Sequence, residues 1–281
     1  VTSLFGVIGN PIAHSRSPHM HNHWFEEEGI DGKYVPFEID PNRLEEAVRG
    51  MKALNFTGWN VTIPFKEAII PLLDQVEEDA KLIGAVNTVI NQQGKLIGSN
   101  TDGAGFVESL YEKRTLKEIQ QSSILLIGAG GAAKGIFHAL AKLEPAHLAV
   151  ANRTEERALS LIQSIKTNKK AQAITIRECE KLLSTFDIVI NTTSVGMFPH
   201  VENMPIDVTK MKNCTLAADI IYNPLETAFL REAKKHGADT LNGVGMFVHQ
   251  GALAFHQWTG TNPDTDKAVS RITKQLGGTS C

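Results

Sequence analysis

Cysteine is scarce in this chain. Only Cys179, Cys214 and Cys281 occur, and three widely spaced thiols make neither a disulfide framework nor a zinc site, so a reducing compartment is expected. Long apolar runs are missing too: none approaches the roughly 20 residues of a membrane span. The first residues carry no signal-peptide pattern, which leaves the cytoplasm as the expected location. Nor is there an excess of one charge, since 28 Lys and Arg stand against 31 Asp and Glu, a net charge of −3. That balance excludes the basic footprint of a nucleic-acid binder and the charge block of an interaction tail. No internal repeat or low-complexity segment is present. What remains is 281 residues, 42% apolar and 21% charged. This is an ordinary globular composition at a length where one core begins to split into two domains.

The order of patterns is α/β. Leu4, Val7 and Ile8 mark a strand ending at Gly9-Asn10-Pro11, and a helix opens at Pro18 with Ser17 as its expected N-cap. A strand over Tyr34 to Ile39, a helix over Pro41 to Ala53 with Leu44, Ala47, Val48 and Met51 inward, and a strand over Trp59 to Ile63 follow. A largely parallel sheet is expected from that alternation. Ala85 to Asn91 and Lys95 to Ser99 form a hairpin over Gln-Gln-Gly. His19, His21 and His23 share a helix, but at about 100° per residue His21 leaves the face of the other two. No carboxylate or thiol companion stands nearby, so solvated histidines are expected and no metal.

The stretch Asn60-Val-Thr-Ile-Pro-Phe-Lys66 organises the first half. Trp59, Val61 and Ile63 alternate with Asn60 and Thr62, the pattern of a strand with one buried face. Pro64 is suited to the first position of a following helix, which would put Lys66 in its first turn, against the positive helix terminus. Amide, hydroxyl and ammonium would then converge on one polar ligand site. Ser15 and Ser17 at the start of their own helix suit a carboxylate, or serve only as caps. Asp102, just before a helix over Gly103 to Tyr111, reads equally as an N-cap and as a carboxylate beside Lys66.

The second half opens on an apolar strand, Ser122 to Ile127, running into Gly128-Ala129-Gly130-Gly131-Ala132-Ala133 and a helix. Strand before and helix after is the context of a dinucleotide loop, with Gly128 for the tight turn and Gly130 for close approach to a pyrophosphate. Backbone amides at the helix start would hold the phosphates. The next strand, His147 to Ala151, ends in Asn152-Arg153-Thr154 rather than in an acid. The acid that would bind an NAD ribose hydroxyl is missing, and Arg153 is placed to meet a 2′-phosphate, so NADP is the expected cofactor. Arg157, one turn on, adds a second cation or is a solvated helix charge. Strands at Ala171 to Ile176, Phe186 to Asn191, Thr215 to Asp219 and Asp239 to Leu241 complete a doubly wound half, with Thr192-Thr193-Ser194 facing the cofactor.

Six blocks in order, Ser15-Arg16-Ser17, Asn60 to Lys66, Gly84 to Thr88, Asn100 to Gly103, the loop at Gly128 and Gln250-Gly251, resemble the shikimate dehydrogenase family over nearly the whole chain. The resemblance implies an N-terminal α/β substrate domain, residues 1–102, and a Rossmann-like NADP-binding domain, residues 103–242, with a cleft between them. Helices over about 243–281 would return to the first domain. It implies NADPH-dependent reduction of 3-dehydroshikimate to shikimate, with Lys66 as acid and base beside Asp102. Ser15 and Ser17 would hold the carboxylate, and Asn60, Thr62, Asn87, Tyr222 and Gln250 would surround the ring hydroxyls. Ile220, Gly243 and Met246 resemble nicotinamide surroundings, and Glu78 stands where the family has a residue near the cofactor. Monomer and homodimer both remain open.

Three rivals are weighed. A quinate or shikimate dehydrogenase with relaxed cofactor use is disfavoured by Arg153 and the paired serines. A non-catalytic sensor of shikimate and nucleotide would lack Lys66 or Asp102, and both are present. A tetrahydrofolate dehydrogenase would need an aromatic pterin site, which nothing here resembles.

Overall fold

A computed structural model describes residues 2–165 and 171–277; Cys281, expected to be an exposed thiol, lies outside them. In chain order the first elements are β1 (Ser3–Gly9), α1 (Ser17–Glu27), β2 (Gly32–Glu38), α2 (Leu44–Ala53), β3 (Gly58–Val61), β4 (Gln75–Val76), α3 (Glu78–Ile83), β5 (Thr88–Gln92) and β6 (Lys95–Ser99). There follow α4 (Asp102–Tyr111), α5 (Leu116–Gln121), β7 (Ser123–Ile127), α6 (Gly131–Lys142), β8 (His147–Asn152), α7 (Glu155–Ser164), β9 (Ala171–Thr175) and α8 (Ile176–Leu182). The chain continues through β10 (Ile188–Asn191), β11 (Leu216–Asp219), α9 (Ala228–Lys235), β12 (Asp239–Leu241), α10 (Val244–Thr259) and α11 (Thr265–Gly277).

Two compact units result. The first comprises Val1–Thr101 with Gln250–Ala268, and the second Asp102–His249 with the chain from Val269. The C-terminal return to the first unit is thus narrower than residues 243–281: α10 changes unit between His249 and Gln250, and Gly277 faces Leu225 of the second unit.

The first sheet runs β2-β1-β3-β5-β6-β4. β1 pairs in parallel with β2 and β3, but the expected hairpin makes β3–β5 and β5–β6 antiparallel, so the sheet is mixed rather than largely parallel. One face packs on α2 through Leu44, Val48 and Met51, with Ile8, Trp59 and Val61 beneath them. On the other face Phe5 stacks on Phe25 at 4.7 Å, and Phe255 of α10 meets Phe25 at 5.0 Å. Both faces are therefore covered, and Asn60 is buried along with Trp59 and Val61.

The second sheet, β12-β11-β10-β7-β8-β9, is parallel throughout. In its own numbering this is the order 3-2-1-4-5-6 read backwards, and the direction of winding reverses between β7 and β10. Alternate residues of β7 explain the double cover. Ile124 and Leu126 join Phe106, Leu110, Ile136 and Leu140 on one face, whereas Leu125 and Ile127 join Cys179, Leu183, Phe229 and Ala233 on the other. A strand apolar at every position has no solvent face to offer. Each such side chain, fully buried, contributes about 1.5–3 kcal/mol. α4 and α6 touch at glycines: a Cβ on Gly103 would lie 2.1 Å from the Gly135 carbonyl oxygen. The helix after Asp102 is thus a packed layer of the second unit.

Candidate functional site

The segment after β3 departs from expectation. No α-helix follows Pro64. Val61 ends the strand, Ile63 is 72% exposed, and Phe65 to Ile69 make one closed turn in which Ile69 N donates to Phe65 O at 3.0 Å. Proline suited to a first helical position fits a tight turn equally well, and the strand stopped two residues early. Lys66 is half-buried in that turn, its carbonyl held by Val86 N at 2.8 Å. Without a helix the opposition of charge and helix terminus does not apply.

Asn60 is built into a polar network. Its Oδ1 accepts from the Tyr34 hydroxyl at 2.7 Å, and its Nδ2 donates to Asn87 O at 3.2 Å and Thr88 Oγ1 at 3.1 Å. Thr88 passes a bond to Asn87 Oδ1 at 2.9 Å, which also accepts from Thr101 N at 2.9 Å. Thr62 lies one residue beyond β3, its main chain donating to Ile8 O at 3.0 Å. Gly9 makes room for it, since a Cβ there would sit 2.5 Å from Thr62 Cγ2. Asn60, Thr62 and Asn87 thus gather at the carboxyl ends of β1 and β3, where ligands of α/β sheets bind.

Ser17 is the first helical residue of α1 and not its cap. Arg16 holds that position without a side-chain cap bond, and Ser15 Oγ accepts from Ser17 N at 3.3 Å. Both hydroxyls remain half-buried beside an uncapped helix start. The solvated-histidine expectation fails for His21. It is fully buried, stacked on Tyr34 at 4.4 Å and flanked by Trp24 and Trp258, and burial takes its pKa down to about 3. The helical period had separated it from His19 and His23 correctly, but the face it points to is the covered one. Among the described residues no group of three or more His, Cys, Asp or Glu is placed to hold a metal.

In the second unit Gly128 adopts φ 110°, the left-handed region open to glycine. It meets the end of β10, for a Cβ would lie 2.8 Å from Thr192 Oγ1. That hydroxyl donates to Ile127 O at 2.7 Å, and Thr193 Oγ1 donates to Asn191 Oδ1 at 2.7 Å. The threonines thus hold the switch point together beside the glycine loop. Gly130 caps α6 without a side-chain bond, and a Cβ on Gly130 or Gly131 would meet nothing within 4 Å. Open space over bare amides, flanked by half-buried Ala129 and Ala132, fits a pyrophosphate. β8 ends at Asn152, whose Nδ2 donates to Thr154 O at 2.8 Å, and Arg153, Thr154 and Arg157 are exposed.

Ile220, Gly243 and Met246 converge. A Cβ on Gly243 would lie 2.1 Å from Ile220 O, and Ile220 packs against the cluster holding Met246. Tyr222 rests on Phe247 at 4.8 Å, and Gln250 follows on α10. Asp102, 8% exposed, opens α4. Glu78 is exposed in the first turn of α3, in the first unit, while the glycine loop lies in the second. Two residues escaped the sequence reading. Tyr34 gave no signal beyond a strand aromatic, whereas Asp219, an acid closing the apolar run Leu216-Ala-Ala, was visible as one.

Residues 7–89 match the model of the shikimate dehydrogenase substrate binding domain, 111–223 that of shikimate / quinate 5-dehydrogenase, and 243–269 that of the shikimate 5′-dehydrogenase C-terminal domain. The shikimate dehydrogenase (NADP(+)) of Bacillus licheniformis is 50% identical over 280 residues, covering 99% of each chain. The chain belongs to the shikimate dehydrogenase family. A crystal structure of a shikimate dehydrogenase in complex with NADP+ superposes with a TM-score of 0.91 at 40% identity, covering 98% of this chain and 96% of the other. A quinate dehydrogenase from Corynebacterium glutamicum in complex with NAD reaches 0.87 at 31% identity, covering 96% and 98%. Architecture in the shikimate dehydrogenase family therefore does not choose the substrate by itself. Among the described residues no helix is long and apolar enough to cross a membrane.

Proposed function

We propose that this chain reversibly reduces 3-dehydroshikimate to shikimate with NADPH, as an NADP-dependent shikimate dehydrogenase of aromatic amino acid biosynthesis. Full-length identity of 50% to a shikimate dehydrogenase (NADP(+)) carries the reading. Gly128, Ala129, Gly130, Gly131 and Ala132 would hold the pyrophosphate, and Asn152, Arg153, Thr154 and Arg157 the ribose and its 2′-phosphate. Ile220, Gly243 and Met246 would line the nicotinamide; Glu78 is the weakest member of the set, because an acid in a first helical turn stabilises the helix without any ligand. Bound NADPH supplies the hydride.

The protein supplies the proton. Lys66 donates it from its ammonium to the carbonyl oxygen as that oxygen gains charge, and takes it back in the oxidative direction. Asp102 hydrogen-bonds the same oxygen and orients the lysine. Ser15 and Ser17 grip the carboxylate, and Asn60, Thr62, Asn87, Tyr222 and Gln250 position the ring. Every group in this scheme comes from one chain, so a monomer and a homodimer serve equally. Free thiols at Cys179 and Cys214 suit a cytoplasmic enzyme.

The test follows nicotinamide absorbance with shikimate and with quinate, each with NADP and NAD. Turnover is expected for shikimate with NADP at a kcat/KM well above the other three pairs. A preference for quinate or for NAD overturns the reading.

A further inference from the structure

The Asn60 amide has a fixed sense. Its Nδ2 faces the main-chain carbonyl of Asn87, which only accepts, so an exchanged amide would set oxygen against oxygen. Both Nδ2 protons are used, on Asn87 O and Thr88 Oγ1. Among the described residues Oδ1 has one partner, the Tyr34 hydroxyl, and so keeps one lone pair for a ligand. Tyr34 has no freedom to do otherwise. It is 1% exposed, its ring lies on His21 at an interplanar angle of 9°, and Asn22 clamps its main chain with two bonds of 2.9 Å. Burial raises its pKa well above the ordinary value, so the hydroxyl stays a donor. α1 therefore spends three residues on this one tyrosine: Ser17 bonds its hydroxyl, His21 covers its ring and Asn22 holds its main chain.

We infer that Tyr34 is a positioning residue for substrate recognition, locking Asn60 so that it meets the substrate as an acceptor and selects a ring hydroxyl that donates. The inference rests on the shikimate reading above. Removing the Tyr34 hydroxyl leaves a buried carbonyl oxygen without its donor, so the amide keeps its sense through Asn87 but is held from the Nδ2 side alone and its oxygen is no longer aimed. Selection of the hydroxyl then weakens, while the phenyl ring keeps its stack.

The experiment compares shikimate with its analogues lacking the hydroxyl at C4 or at C5, in the parent and in Tyr34→Phe, with NADP. The parent should lose at least ~100-fold in kcat/KM on the analogue missing the hydroxyl that Asn60 reads, because a buried acceptor is left unpaired. Tyr34→Phe should lower kcat/KM on shikimate, mainly through KM, at least about fivefold more than on that analogue, since any loss passed through Ser17, which bonds the same hydroxyl, falls on all three compounds alike. KM for NADP should not move. Thr88→Val, which removes the acceptor on the opposite side of the amide, should narrow the same penalty and serves if the phenylalanine variant does not fold. Equal losses on all three compounds, in either folded variant, overturn the inference, because a merely structural role has no preference among them. A parent that leaves shikimate unoxidised overturns the functional reading instead.

Discussion

Thr227 donates its side-chain hydroxyl to the Asp219 carboxylate at 2.8 Å, and neither residue is more than 1% exposed. Asn191 Nδ2, at 3.2 Å, and Ile221 N, at 3.0 Å, donate to the same carboxylate. One acid thus ties the ends of β10 and β11 to the start of α9. Burial outweighs these neutral donors and raises the Asp219 pKa to about 6, from 3.8.

A raised carboxyl pKa means the folded state binds the proton more tightly. The stability it contributes is present below pH ~4 and lost as pH rises through about 6, a change of ~3 kcal/mol at ~1.4 kcal/mol per unit. Asp219→Asn cannot ionise there. Denaturant midpoints of parent and variant, followed by circular dichroism, should therefore diverge in the variant's favour as pH rises across this window and run parallel above it. A difference that stays constant from pH 4 to pH 7 rules out ionisation of Asp219 as its source.

Lys66→Ala should lower kcat by about 10²–10⁴-fold, the usual worth of a general acid, with a smaller change in KM for shikimate. The side chain leaves a surface turn and not a core, so the melting temperature should hold. A near-normal kcat would reduce Lys66 to a binding group.

Arg153→Ala should weaken NADP by roughly 10- to 150-fold, the cost of about 1.5–3 kcal/mol for a lost charge-assisted bond. NAD should bind as before. Titrating both cofactors decides it, and equal weakening would mean that Arg153 does not read the 2′-phosphate.

Gly128→Ala and Gly130→Ala should separate folding from binding. At Gly128 a side chain meets φ 110° and Thr192 Oγ1 at 2.8 Å, so a loss of about 1–3 kcal/mol in stability is expected. At Gly130, with φ −89° and open space, stability should hold while NADP affinity falls, because the methyl group occupies the approach of the pyrophosphate. Undiminished NADP affinity in Gly130→Ala would show that no phosphate comes close there.

The second unit was the more legible in sequence. Strands such as Ile124 to Ile127 are apolar at every position, and Gly128-Ala-Gly130 between strand and helix has few other uses. The turn at Lys66 was misread because Pro64 satisfies a helix start and a tight turn alike, and local sequence does not separate them. His21 was misread because period gives direction but not what covers that direction: Phe255 and Trp258 arrive from more than 230 residues away. The burial of Asn60 was hidden for a related reason. Alternation with Trp59 and Val61 suggested one buried face, whereas α1 and α10 cover the other.

The chain has three tryptophans, and Trp24, Trp59 and Trp258 all belong to the first unit, none more than 8% exposed. Intrinsic fluorescence is therefore a local instrument in this protein. Emission from 295 nm excitation follows the packing of α1, β3 and α10, and is blind to the unit that carries Gly128 and Asp219. A thermal scan read in emission and again in far-ultraviolet dichroism would superimpose only if the two units melt as one. Any gap between the curves measures how loosely they are coupled, with no label added.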